Sequence, residues 1–125
     1  MSRIFMFFAA VLGGLSVAAG AFGSHALKAK LSQQALEIFQ TGARYEMYHA
    51  LALLLVALLL SRAETGQVPL IIAGCAFLVG IAIFSGSLYA LSLTGIKWLG
   101  AVTPLGGLAF FIGWGSLAIA AWNFN

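Results

Sequence analysis

The sequence predicts an all-α integral membrane protein: a four-helix transmembrane bundle whose second helix starts as an amphipathic segment at the membrane interface. Three observations carry this expectation. The chain has 125 residues, 62% of them hydrophobic and 7% charged, whereas a soluble domain keeps about a quarter of its residues charged. Three charge-free stretches, Ile4 to Ser24, Gln67 to Ile96 and Trp98 to Asn125, reach the roughly 20 residues needed to cross a hydrocarbon core of about 30 Å. A fourth apolar run, Met47 to Ser61, is too short to cross unless its helix begins upstream. The expected spans, within a single domain over 1–125, are about 4–23, 45–62, 69–93 and 98–122.

The first span carries small residues four apart, with Ala10, Gly14 and Ala18 on one stripe and Ser16, Gly20 and Ser24 on another. Such stripes let backbones approach closely in lipid, where packing replaces the hydrophobic effect as the force between helices. Arg3 followed by an apolar run and Ala19-Gly20-Ala21 imitates a secretory signal. The uncharged run is longer than a signal core, so a retained span is expected.

The polar stretch "HALKAKLSQQALEIFQTGARYE" comes next. Ser32 is placed to cap a helix, and Leu31, Ala35, Ile38, Gly42 and Tyr45 recur at three- and four-residue spacing, an amphipathic pattern. A helix from Ser32 to Arg62 would be about 45 Å long, more than the bilayer core requires. Its first turns are therefore expected at the interface, with a bend at Gly42.

"SRAETGQVP" reads as a polar loop, with Pro69 suited to the first turn of the third helix, which is expected to run to about Leu93. The short connection "IKW" leads into the fourth. Trp98 and Trp122 would lie about 36 Å apart along a helix, as aromatic anchors at two bilayer faces do. Pro104 removes a backbone donor one turn inside, predicting a kink or a late start. Gly106, Gly113 and Ala120 repeat at seven residues and form a small-residue packing seam. "AGCAFLVG" at Ala73 and "GGLAFFIG" at Gly106 share Gly, Ala, Phe and Gly at matching places. A restricted membrane alphabet explains that likeness more readily than an internal repeat.

The formal charge of +3 rests on six dispersed basic residues, which make no nucleic-acid-binding stripe. Lys28, Lys30, Arg44 and Lys97 fall on one side of a four-span chain and Arg3 and Arg62 on the other, so the positive-inside rule sets both termini outside. Cys75 stands alone, with no metal-ligand spacing around it, and reads as a small core residue. There is no nucleophile elbow, phosphate loop, HExxH or CxxC, so no enzyme, cofactor or metal site is expected.

The ionisable groups are concentrated in "GARYEMYH". Tyr45 and His49 are four apart and Glu46 and His49 three apart, close enough to meet on a helix. Chain reversal would bring His25, Ser85, Ser87 and Tyr89 to the same zone. One reading is a Glu46–His49 pair that binds or relays a proton or cation, because ionisable groups in lipid are costly and often functional. The other is an interfacial polar cap, with Arg44 and the tyrosines snorkelling to headgroups. A location at the helix entrance favours the cap. Trp114 lies well inside the fourth helix, where its N–H needs an acceptor.

Taken in order, "GAFGSHALK", "FQTGARYEMYHALAL", "FSGSLYAL", "GIKWLGAVTPLGG" and "GGLAFFIGW" cover nearly the whole chain. They resemble the small multipass membrane family catalogued as domain of unknown function 423, which is similar to human transmembrane protein 256. The resemblance implies an integral membrane protein of bacterial inner membranes and eukaryotic relatives. It supplies no catalytic residues to carry over, so His25, Tyr45, His49, Ser85, Ser87, Tyr89, Thr103 and Pro104 stand on physical grounds only. The expected role is a non-enzymatic packing module in the lipid bilayer, a homo-oligomer or part of a larger membrane complex. A proton- or cation-linked carrier or channel built on Glu46 and His49 is the alternative.

Overall fold

The computed structural model describes residues 1–124, and every element among them is helical. Helix α1 covers Ser2–Phe22 and continues through a π-helical turn at Gly23–Leu27; α2 covers Gln33–Arg62. The third span is α3, Gln67–Gly80, a π-helical segment, Ile81–Ser85, and α4, Gly86–Thr94. The last is α5, Leu99–Trp122. The four continuous helical stretches are each long and apolar enough to cross a membrane.

Several boundaries follow local chemistry. The Ser32 hydroxyl accepts from the Ala35 amide at 3.1 Å, satisfying one of the orphan donors at the start of α2. Pro69 sits in the first turn of α3, where a missing N–H costs nothing. Gly95, at φ 71°, ends α4 in the left-handed conformation and donates its amide to the Leu91 carbonyl at 2.8 Å.

The structure sharpens two of these expectations and corrects a third. Helix α2 is continuous through Gly42, and the glycine there supplies space for a neighbouring ring. Helix α5 begins five residues before Pro104, so of the two alternatives, a kink or a late start, the late start does not occur. Cys75 is exposed on the flank of α3, not in the core.

Helix α2 and the third span form the centre, with α1 packed along α2 and α5 along α3. The main apolar core gathers Leu53, Val56, Ala57, Leu70, Phe77, Phe110 and Leu117 toward the end that holds both termini, with Phe5 reaching in from α1. A second cluster, Leu27, Leu36 and Phe39, closes the opposite end.

The α3–α5 contact is reciprocal. A Cβ on Gly113 would collide with the Phe77 ring, and one on Gly80 would collide with the Phe110 ring. Phe77 and Gly80 occupy the same places in "AGCAFLVG" that Phe110 and Gly113 occupy in "GGLAFFIG". Two helices running in opposite directions thus exchange a phenylalanine for a glycine gap. Gly106 comes equally close to the backbone of Phe84. The seam of Gly106, Gly113 and Ala120 is therefore filled from within the chain, and the self-association expected along it has no free surface there.

Candidate functional site

A polar layer lies between the two apolar clusters. The buried polar and charged side chains are Ser16, Glu46, His49, Ser85, Ser87 and Ser92, and most are held by a specific partner. The Ser16 hydroxyl of α1 donates to the Ala43 carbonyl at 2.6 Å, and that of Ser85 donates to the adjacent Gly42 carbonyl at 2.7 Å. These two serines staple α2 to its neighbours on either side. In lipid such bonds supplement close packing, because no hydrophobic effect drives the helices together. Ser85 ends the π-helical segment, and an irregular turn of this kind changes the phase of the side chains that follow it.

His49 is 5% exposed and both its ring nitrogens are engaged. Nδ1 lies 2.8 Å from the Tyr45 carbonyl, and the Trp114 indole N–H donates to Nε2 at 3.0 Å. Indole nitrogen only donates and a carbonyl only accepts, so together they select the neutral imidazole with its proton on Nδ1. The ring stacks on Phe110 at 3.5 Å between centroids and 6° between planes, with Phe77 and the Trp114 ring at its edges. Tyr45 stacks on Phe84. The rings of Tyr45, His49, Phe84, Phe110 and Trp114 line a cleft of about 360 Å³ between α2 and α5.

Glu46 is 4% exposed. Its Oε1 accepts from the Tyr89 hydroxyl at 2.7 Å, while Oε2 is buried without a hydrogen-bond partner. Phe39 packs against the Tyr89 ring at 4.9 Å between centroids. On the other side Gly42 leaves room for the ring: a Cβ there would lie 3.0 Å from Tyr89 Cε1. Gly42 thus accepts from Ser85 through its carbonyl and admits Tyr89 through its missing side chain.

The Glu46–His49 pair of the carrier reading does not form. Three residues along a helix leaves the two side chains about 60° apart around the axis, and each turns to a different neighbour: Glu46 to α4, His49 to α5. The cluster is also deeper than a helix entrance. Phe110 and Trp114, the residues that hold His49, lie 11 and 15 positions into α5, about 16 to 22 Å from its start. Ser87 bonds the Phe84 carbonyl and shares a hydrogen bond with Thr103, tying α4 to α5. His25 stands apart, exposed in the π-helical turn after α1. Arg44 is exposed and lines a groove with Ser16, Gly20, Ser24 and Gln40.

Sequence reasoning identified Glu46, Ser85 and Tyr89 but missed Ser16 as a staple and Phe110 as the ring under His49. It asked for an acceptor for Trp114 without finding His49, 65 residues away. An unpaired indole N–H in an apolar helix was the one available signal. Among the described residues no group of three or more His, Cys, Asp and Glu is gathered as a metal site.

The comparisons with known proteins agree with the architecture. The chain is 44% identical over 119 residues to the UPF0382 membrane protein YwdK of Bacillus subtilis, covering 95% of this chain and 96% of that protein. It is 41% identical over 122 residues to UPF0382 membrane proteins of Staphylococcus aureus and Staphylococcus epidermidis, covering 98% of each chain. No solved structure matches it. The profile of the family described as "Protein of unknown function (DUF423)" matches residues 19–107, and the chain belongs to that family of membrane proteins.

Proposed function

We propose that this protein is a non-enzymatic packing module of the bacterial plasma membrane that joins a second copy of itself or a larger membrane complex through α1. One observation carries the reading: α1 lies at the flank of the bundle, and the outer stripe of Ala10, Gly14 and Ala18 is exposed, with nothing within 4 Å of a Cβ placed on Gly14. The seam of Gly106, Gly113 and Ala120 is consumed inside the chain, whereas the stripe on α1 is left able to approach a neighbouring backbone closely. Subunit counting in lipid nanodiscs, with purification of any stable partner, tests it. Gly14→Leu should reduce the assembly to a folded single chain; an unchanged assembly would refute the role of α1.

A second reading is favoured by the polar layer. A carboxyl buried at mid-bundle with one oxygen unpartnered is expensive to keep in a purely structural role. It supports a proton- or cation-linked carrier centred on Glu46 and Tyr89, with His49 excluded because Trp114 and Tyr45 occupy it. Ion flux into proteoliposomes, lost in Glu46→Gln, is the corresponding test.

A further inference from the structure

We propose that Glu46 is a proton-binding site, holding a proton on Oε2 while the Tyr89 hydroxyl donates to Oε1, and that the ligand is a proton in preference to a metal or alkali cation. The inference deepens the second reading above and rests on it only for the purpose of the site, not for the site's chemistry.

The argument begins with what each protonation state would require. An ionised glutamate is an acceptor alone, with about four lone-pair directions over two oxygens. Here one donor is supplied, from Tyr89 at 2.7 Å, and the second oxygen meets none. A buried anion with one oxygen unmet is among the costliest arrangements available to a side chain, and no ion pair offsets it. A proton on Oε2 removes the charge: Oε1 is already satisfied, and the O–H left without an acceptor is a neutral group, which costs less to bury unmet than a carboxylate does. Tyr89 suits either state of Oε1, since the phenol donates to a carbonyl oxygen as it does to a carboxylate.

The surroundings supply no substitute charge. Of the buried polar and charged side chains, Ser16 comes from α1, Ser85 from the π-helical segment, Ser87 and Ser92 from α4, and only Glu46 and His49 ionise. His49 is engaged by the Trp114 indole of α5, and Tyr89 is the titratable group of α4 that meets Glu46. Arg44 is on the exposed face of α2.

A metal cation would need more oxygen than the site provides. Hard cations gather about six or more oxygen ligands. Glu46 and Tyr89 contribute one carboxylate and one phenol, and the nearest turn's carbonyls at Gly42 and Ala43 already accept from Ser85 and Ser16. A proton needs one lone pair, which Oε2 has free.

The chain has only three acidic side chains, Glu37, Glu46 and Glu64, with no aspartate, and Glu37 and Glu64 are exposed. The double variant Glu37→Gln/Glu64→Gln therefore leaves Glu46 as the sole glutamate without touching the site. Carbon-13 glutamate-labelled protein of this variant, in zwitterionic phospholipid bilayers at neutral pH, is read by solid-state NMR. The expected Glu46 carboxyl resonance has the chemical shift of a protonated acid and does not move when sodium is exchanged for potassium, magnesium or choline. Tyr89→Phe should displace it while keeping it in the acid range. A carboxylate shift, or a shift that follows the cation, would overturn the proposal, and an unmoved resonance in Tyr89→Phe would overturn the part given to Tyr89. Flux separates the two levels. An acid resonance with no proton flux in proteoliposomes supports the site and refutes the carrier, whereas a cation-dependent resonance with flux of that cation refutes the site as proposed and keeps the carrier.

Discussion

Gly106→Ala and Gly115→Ala add the same methyl group to the same helix and so separate packing from helical preference. Both exchanges gain about 0.5–1 kcal/mol from replacing a helical glycine. At Gly115 nothing lies within 4 Å of the added carbon. At Gly106 it would sit 2.7 Å from the Cα and Cβ of Phe84 and nearer still to its backbone nitrogen. A flexible side chain could swing away, but this neighbour is backbone. It belongs to the π-helical segment, and the next residue, Ser85, is tied to the Gly42 carbonyl of α2. Making room therefore means moving the third span against both of its neighbours. Overpacking of this kind costs about 1–3 kcal/mol. The helical preference cancels in the comparison, so Gly106→Ala should be about 1–3 kcal/mol less stable than Gly115→Ala. Each 1.4 kcal/mol of that difference is about tenfold in the folding equilibrium. Reversible unfolding in mixed micelles or bicelles, followed by tryptophan fluorescence, gives both values. Equal stabilities would refute the reasoning, since they would mean that α5 does not approach Phe84 through Gly106.

Trp114→Phe leaves Nε2 of His49 without its donor and should destabilise by about 1–3 kcal/mol; His49→Phe in that background should recover part of the loss by removing the stranded acceptor, and the same unfolding assay would show it. Ser85→Ala removes an interhelical hydrogen bond and should cost about 0.6–1.7 kcal/mol, with an unchanged unfolding midpoint counting against the staple. For topology, Lys28, Lys30 and Lys97 lie in or beside the two loops at one end of the bundle, and Arg3 and Arg62 lie at the other. Both termini should therefore face outward, and a C-terminal fusion active only in the cytoplasm would contradict this.

What could be read from the sequence was set by interactions short in sequence or by composition. A chain with so few charges cannot cover a watery surface, and lipid forces each apolar stretch to satisfy its backbone internally as a helix. Ser32 and Pro69 mark helix starts through bonds made or omitted within one turn. Small residues at seven-residue spacing announce a seam for the same local reason, and the reciprocal phenylalanine–glycine exchange was present as two similar octapeptides. What the seam faces was not legible, because spacing along one helix does not say which neighbour fills the gap.

The partners of the ionisable groups were decided by the tertiary structure alone. Glu46 and His49 are near neighbours in sequence, but the rotation of α2 between its two flanks sends one toward Tyr89, 43 residues away, and the other toward Trp114, 65 residues away. Depth was hidden for a related reason. The polar start of α2 suggested a membrane boundary, and although the helix bounds were legible, the burial of Glu46 against Tyr89 of α4 was not. A π-helical segment in the third span sets the phase that brings Ser85 to Gly42, followed one turn later by Tyr89 at Glu46, and no local pattern in "IAIFS" distinguishes it from an ordinary turn. Composition and short-range bonding thus specify where helices run, whereas their rotation and register, which place a carboxyl beside a phenol, come from packing between them.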